Sequence, residues 1–194
     1  PDAKGRFRLT LPSGVELALE PRPGSGLFTV QAAWEGGSLL EDPSHHGLHA
    51  LMAASQTEGT ESLGELALAR RLDDLGASLV AQAGRNSYSL SIEGLTEGFE
   101  ESLELFLETL KYPRFDARSV DRERLLALEA VRSRDDRPGQ RAFHLAAQSL
   151  FGSHPYGRPL GGREETLRHL SADTIGKFYH QHYGQLPPAV MIVG

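Results

Sequence analysis

The sequence predicts an α+β domain in which a mostly antiparallel β-sheet is packed on one side by helices. Runs of alternating apolar and polar residues flank short turn-forming segments, which is the pattern of antiparallel strands with one buried face. Stretches with apolar residues three and four positions apart, the pattern of amphipathic helices, lie between and after these runs. Together they indicate one layer of strands and one layer of helices.

The elements follow one another along the chain in a definite order. A hairpin is predicted around Pro12-Ser13-Gly14, a buried strand ends at Gly36-Gly37, and a second hairpin turns at Gly84-Arg85-Asn86. The expected strands are 6–11, 15–20, 27–34, 78–83, 87–95 and 189–193. The expected helices are 47–60 capped by Ser44, 62–75 ended by Gly76, 97–111, 117–136 capped by Asp116, 138–151, 164–170 and 172–183 capped by Ser171.

Composition restricts the classes of function. The chain has 194 residues, 39% of them hydrophobic, which suits a single globular domain. A net charge of −6 gives no electrostatic footprint for nucleic acid, and no apolar run reaches the length of a membrane span. The absence of cysteine excludes disulfides and thiolate metal sites, but leaves both a cytoplasmic and a periplasmic location open.

The helix at 47–60 is the centre of the prediction. Leu48, Leu51, Met52 and Ser55 share a face that we expect to enter the core. A second face beside it is made of alanines, Ala50, Ala53 and Ala54. An alanine face by itself indicates only close packing.

The surroundings of these alanines resemble the pitrilysin/insulinase peptidases of family M16, the inverted zincins. The resemblance lies in the Gly47-Leu48 opening and Gly59-Thr60 ending of the helix, in Leu75-Gly76-Ala77 and in His154-Pro155-Tyr156-Gly157, all in the family's order. In that family the helix carries His-x-x-Glu-His, in which two histidines bind zinc and the glutamate is the general base. An ungapped match places Ala50 and Ala54 at the ligand positions and Ala53 at the base position.

The resemblance assigns roles to two further segments. Glu129 lies 75 residues after Ala54, close to the family's spacing for a third zinc ligand, although it could simply pair with Arg132. The first strand of the second hairpin corresponds to the family's edge strand, to which a peptide adds as a further strand. Its candidate peptide-binding residues are Val80, Ala81 and Gln82.

Two other readings of the residues near the helix start remain open. His45 and His49 are four apart, so a rebuilt zinc site on one helical face is a hypothesis, although imidazoles in a first turn are usually solvated. Ser44 beside His45 or His46 is a weak candidate for a hydrolase, since no glycine-flanked nucleophile elbow is present.

The resemblance implies a peptidase-like domain without peptidase chemistry. We expect no zinc, no activity of the domain alone, and a role as the non-catalytic partner of a zinc-bearing peptidase, forming a chamber and binding peptide. The alternative is a purely structural or assembly subunit that binds no peptide. The expected partner is an active subunit of the family or the protein's own carboxy-terminal half, because family members contain pairs of such domains and residues 1–194 have the size of one.

Overall fold

A computed structural model describes residues 5–194, together with all their side chains except that of Asp135. Its six strands are β1 (Phe7–Thr10), β2 (Glu16–Glu20), β3 (Leu27–Glu35), β4 (Ser78–Ala83), β5 (Ser87–Leu95) and β6 (Ala189–Val193). Its seven α-helices are α1 (Leu48–Gln56), α2 (Glu65–Leu75), α3 (Phe99–Lys111), α4 (Ala117–Asp135), α5 (Pro138–Phe151), α6 (Glu164–Leu167) and α7 (Ala172–Tyr179).

The strands form one sheet in the order β1-β2-β6-β3-β5-β4. Only the β2–β6 pair is parallel, and the other pairs are antiparallel. The predicted α+β architecture with a mostly antiparallel sheet is therefore confirmed for the described residues.

Helices cover one face of the sheet. In β3 and β5 every second side chain is buried, which gives a helix-facing row and an open row. The helix-facing rows pack on α1 and α3 in a single core. The buried residues of the two strands are Phe28, Val30, Ala32, Trp34, Tyr88, Leu90 and Ile92.

Several predicted helix boundaries were wrong. The second helix begins at Glu65, since Thr60 Oγ1 accepts from the amide of Leu63 at 2.9 Å and holds that segment as a turn. The final helix ends at Tyr179 and continues as one π-helical turn, His180–Gly184. The caps predicted at Gly76, Asp116 and Ser171 are confirmed.

Candidate functional site

Helix α1 has two different faces. Leu48, Leu51 and Met52 are buried in the core, as expected. Ala53 is also buried, with 5% of its surface exposed, so it belongs to the core side and not to a common alanine face. Ala50 and Ala54 point the other way and line an open cleft.

The N-terminus of α1 is capped by Glu41 and not, as predicted, by Ser44. Gly47, in the left-handed conformation with φ 96°, separates α1 from the short 3₁₀ turn Pro43–His45 that contains Ser44. The buried Glu41 carboxylate accepts hydrogen bonds from the amides of His49 at 2.7 Å and Gly47 at 3.1 Å. Burial raises the pKa of Glu41 to about 7, although both amides favour the charged form.

The histidines at the start of α1 do not form the shared face that a rebuilt zinc site would need. His45 lies in the 3₁₀ turn and is exposed, whereas His49 lies in α1 with 1% of its surface exposed. Imidazoles in a first turn are usually solvated, but here both His46 and His49 are buried. The geometry therefore gives no support to a site built on His45 and His49.

His49 instead belongs to an aromatic cluster. Its ring packs edge-on against Phe178 and Tyr183, with centroids 5.2 Å and 5.4 Å away, and Nε2 hydrogen-bonds with the Tyr183 hydroxyl. Burial lowers the pKa of His49 to about 4, so the ring is neutral at pH 7. This histidine stabilises the core through packing.

The cleft beside Ala50 and Ala54 lies between α1, α4 and the start of α5 and has a volume of about 550 Å³. Small and apolar residues of α1 and α4 form most of its wall, and charged residues lie at its two ends. The lining includes Ala50, Ala54, Glu123, Leu126, Ala127, Ala130, Val131, Arg134 and Arg137.

Glu129 does not line this cleft. Its carboxylate is exposed and pairs with Arg132 on the same helix, with Nη1 and Oε1 2.7 Å apart. Successive residues of a helix point about 100° apart, so with Val131 buried and Ala130 in the cleft, Glu129 faces solvent. The structure thus brings Ala130, and not Glu129, next to Ala50 and Ala54.

The cleft wall around these alanines does not fit a zinc ion. Zinc requires nitrogen, sulfur or oxygen ligands, and the methyl groups of Ala50, Ala54 and Ala130 supply none. Within residues 5–194, no cluster of three or more histidine, cysteine or acidic side chains has a metal-binding arrangement.

The Ser44–His45 pair also lacks the geometry of a hydrolase. The Ser44 hydroxyl donates to Asp42 Oδ1 at 2.6 Å and lies 3.2 Å from His45 Nδ1. The carboxylate thus binds the serine proton directly and does not orient the histidine, which reverses the order of a catalytic triad.

The candidate peptide-binding strand β4 is an edge of the sheet, as predicted. Gly84 donates to the Ser87 carbonyl at 2.8 Å, which makes this pair a hydrogen-bonded one. Alternation along the β4–β5 ladder then makes Leu79, Ala81 and Ala83 members of non-hydrogen-bonded pairs. Their amides and carbonyls point to the free edge, whereas those of Val80 and Gln82 pair with β5.

The fold has counterparts among known proteins. Residues 25–164 match the model of the family described as insulinase, peptidase family M16. The chain belongs to the M16 family. An uncharacterized zinc protease of Streptomyces coelicolor is 27% identical over 91% of this chain and 38% of its own length. A protein of Helicobacter pylori called a non-peptidase homolog is 24% identical over 85% of this chain and 38% of its own length.

A solved structure gives the same fold. It is a peptidase M16 inactive domain from Pseudomonas fluorescens, with a TM-score of 0.90 and 22% identity, and it covers 97% of this chain and 46% of that chain. This M16 domain therefore spans less than half the length of these relatives. Among its described residues, no helix is long and apolar enough to cross a membrane.

Sequence reasoning missed two features of this M16 domain. Glu41 lies six and eight residues before the amides that it binds, a spacing that no local capping motif has, so the sequence contains no signal for this cap. The second missed feature is Arg134 of α4, which lines the cleft. A signal was present, because Glu123, Ala127, Ala130 and Arg134 follow the 4-3-4 spacing of a single helical face.

Proposed function

We propose that this domain is a non-catalytic member of the M16 family that serves as the partner of a zinc-bearing M16 peptidase, helping to form its chamber and to hold a peptide. The catalytic partner is a separate active subunit or a carboxy-terminal half of the same protein. The observation that carries the proposal is a cleft with alanine where zinc chemistry needs ligands, on a helix that packs against the strand with the free sheet edge.

The edge of β4 is the proposed peptide-binding element. Three residues with outward-facing backbone groups, Leu79, Ala81 and Ala83, can donate and accept main-chain hydrogen bonds along one side of an extended peptide. This mode of binding depends on the backbone, so it does not require an asparagine side chain at Val80, Ala81 or Gln82. Helix α1 packs directly on β4, so a peptide on this edge lies next to the alanine helix.

Substitution of Ala81 tests the proposal without disturbing the sheet. Its amide faces the free edge, so Ala81→Pro removes an outward donor but no β4–β5 hydrogen bond. Ala81→Gly is the matched control because it keeps the amide. The probe is the acetylated and amidated octapeptide Ser-Thr-Val-Leu-Ala-Gln-Thr-Ser, with binding followed by titration of ¹⁵N-labelled domain.

We expect β4 and β5 amides to shift on titration and the affinity to fall at least about fivefold in Ala81→Pro, the effect of roughly one lost hydrogen bond. Ala81→Gly should bind within about twofold of the parent. The absence of binding by the parent domain would contradict the peptide-holding role and favour the alternative function, that of a purely structural subunit. Equal binding by the proline variant would show that the edge is not used.

A further inference from the structure

The cleft has an acidic residue at one end and basic residues at the other. On α4 the lining runs from Glu123 to Arg134, eleven positions or about 16 Å at 1.5 Å per residue. The Glu123 carboxylate lies 3.3 Å from Arg122, so its charge is already paired. At the other end Arg134 and Arg137 both line the cleft. The two ends therefore differ in the sign of the charged residues that line them.

Further arginines strengthen the cationic end. The charges of Arg158, Arg163 and Arg134 all act on His46 and, after burial, lower its pKa to about 4. His46 directly precedes Gly47, which lines the same end of the cleft. Arg137 itself is exposed, and it forms no ion pair with any other described side chain. Several arginine side chains thus lie near this end of the cleft in a protein whose net charge is −6.

The middle of the cleft suits an aliphatic side chain. Its walls are the methyl groups of Ala50 and Ala54 on one helix and of Ala127 and Ala130 on the other, with Val131 beside them. The full length of about 16 Å accommodates four or five residues of extended chain at about 3.3 Å each. A cleft with apolar walls and a cationic end fits a short peptide that carries an aliphatic side chain and a carboxylate.

We propose that the cleft selects peptides that carry a carboxylate one or two residues after an aliphatic side chain, which packs on the alanines while the carboxylate pairs with Arg134 and Arg137. This inference rests on the proposed peptide-holding function and names its substrate class. The carboxylate belongs to an acidic side chain or to the carboxyl terminus of the peptide. Arginine binds either group through paired N–H donors.

The experiment compares three peptides on the same domain. The first is the neutral octapeptide described above, and the second has glutamate in place of its glutamine. The third is an acetylated peptide with uncharged side chains that ends Leu-Ala-Gln, so that its free carboxyl terminus is its only charge. Affinities are measured by the same NMR titration in 50 mM salt. The matched protein variants are Arg137→Gln and Arg141→Gln, since Arg141 lies one turn further along α5, outside the cleft lining.

We expect the glutamate peptide or the free-acid peptide to bind at least about fivefold more tightly than the neutral one, and the identity of the tighter peptide reveals the source of the carboxylate. Arg137→Gln should reduce this preference to within about twofold, and Arg141→Gln should leave it unchanged. Ala54→Leu, which fills the cleft from an exposed position, should weaken both carboxylate peptides.

Two results would overturn the inference. The first is equal affinity for neutral and carboxylate peptides, which leaves the edge-strand function intact because the neutral peptide still binds. The second is a carboxylate preference that persists in Arg137→Gln or disappears equally in Arg141→Gln, since the effect would then come from general charge. Failure of all three peptides to bind the parent would reject the peptide-holding function itself.

Discussion

At the scale of single residues, the decisive feature is the chemistry that alanine cannot perform. Ala50 and Ala54 occupy the positions from which two imidazoles could reach a common metal, and Ala130 faces them from α4. Methyl groups neither coordinate a metal nor accept a proton, so these three positions supply no reactive group to the cleft.

The same geometry predicts which substitutions create a metal site. Ala50→His with Ala54→His supplies two ligands, and we expect tight zinc binding only when Ala130→Glu adds a third from the facing helix. The parent should retain less than about 0.1 zinc per chain after dialysis, and the triple variant about one. Metal content is measured by atomic emission after equilibration with micromolar zinc.

Glu129 provides the contrast in that experiment. If the double histidine variant holds zinc stoichiometrically and loses it on Glu129→Gln, then Glu129 is the third ligand and our placement of Ala130 is wrong. Because Glu129 is exposed and paired with Arg132, we expect the double histidine variant to bind zinc weakly and Glu129→Gln to leave that binding unchanged.

The sequence correctly placed Ala50 and Ala54 on one side of a helix, because residues four positions apart are neighbours on a helix surface. Ala53, which was expected on the same face, lies on the core side. It could not distinguish Glu129 from its neighbour Ala130, because a shift of one residue turns a side chain by 100° and the relative rotation of α1 and α4 is set by packing. Hence the pairing of residues across two helices required the structure.

At the scale of secondary-structure elements, the start of α1 is held by close backbone contact. Gly47 and Gly162 meet, and a Cβ built on Gly162 would lie 2.8 Å from both Gly47 Cα and the His46 carbonyl oxygen. Both glycines have positive φ, 96° and 80°, which other residues adopt at a cost. Thr166 Oγ1 adds a hydrogen bond to the His46 carbonyl at 2.6 Å.

Gly162→Ala should therefore destabilise the domain by at least about 2 kcal/mol, the combined cost of a backbone clash and a left-handed alanine. Urea unfolding followed by circular dichroism measures this difference. Gly139→Ala is the control, because its Cβ meets nothing within 4 Å and it lies in the first turn of α5. A change in Gly162→Ala no larger than that of the control would contradict the role of this contact.

The sequence predicted the strands better than the helix ends. Strand bounds follow from an alternation that the sheet itself imposes, and 78–83, 87–95 and 189–193 match β4, β5 and β6. The start of α1 depends instead on Glu41 and on the Gly47–Gly162 contact. Glu41 lies in a loop without a capping motif, and Gly162 is more than one hundred residues away from Gly47 in the chain. Ser44, the residue with the right local chemistry, lies outside the helix.

At the scale of the whole molecule, three buried ionisable groups couple stability to pH. Glu41 titrates at about 7 when folded instead of 4.5, so its contribution to stability is lost as the pH rises from 4.5 to 7. His46 and His49 titrate at about 4 instead of 6.5, so the folded state loses stability as the pH falls from 6.5 to 4. Between these limits unfolding takes up about two histidine protons and releases one from Glu41.

The net uptake of about one proton predicts that the unfolding free energy falls by on the order of 1 kcal/mol per pH unit between pH 6.5 and 5. Urea titrations at several pH values measure this slope. In His49→Gln the slope should approach zero, and in Glu41→Gln it should roughly double. A wild-type slope in His49→Gln would mean that this ring is not the source of the dependence.

The free edge of β4 has a consequence for the behaviour of the protein in solution. An unpaired strand accepts any extended segment in register, including the same strand of a second molecule. Two chains joined edge to edge through Leu79, Ala81 and Ala83 would each conceal the backbone groups that a peptide needs. Self-association through this edge would therefore compete with peptide, and apparent peptide affinity would decline as the protein concentration rises.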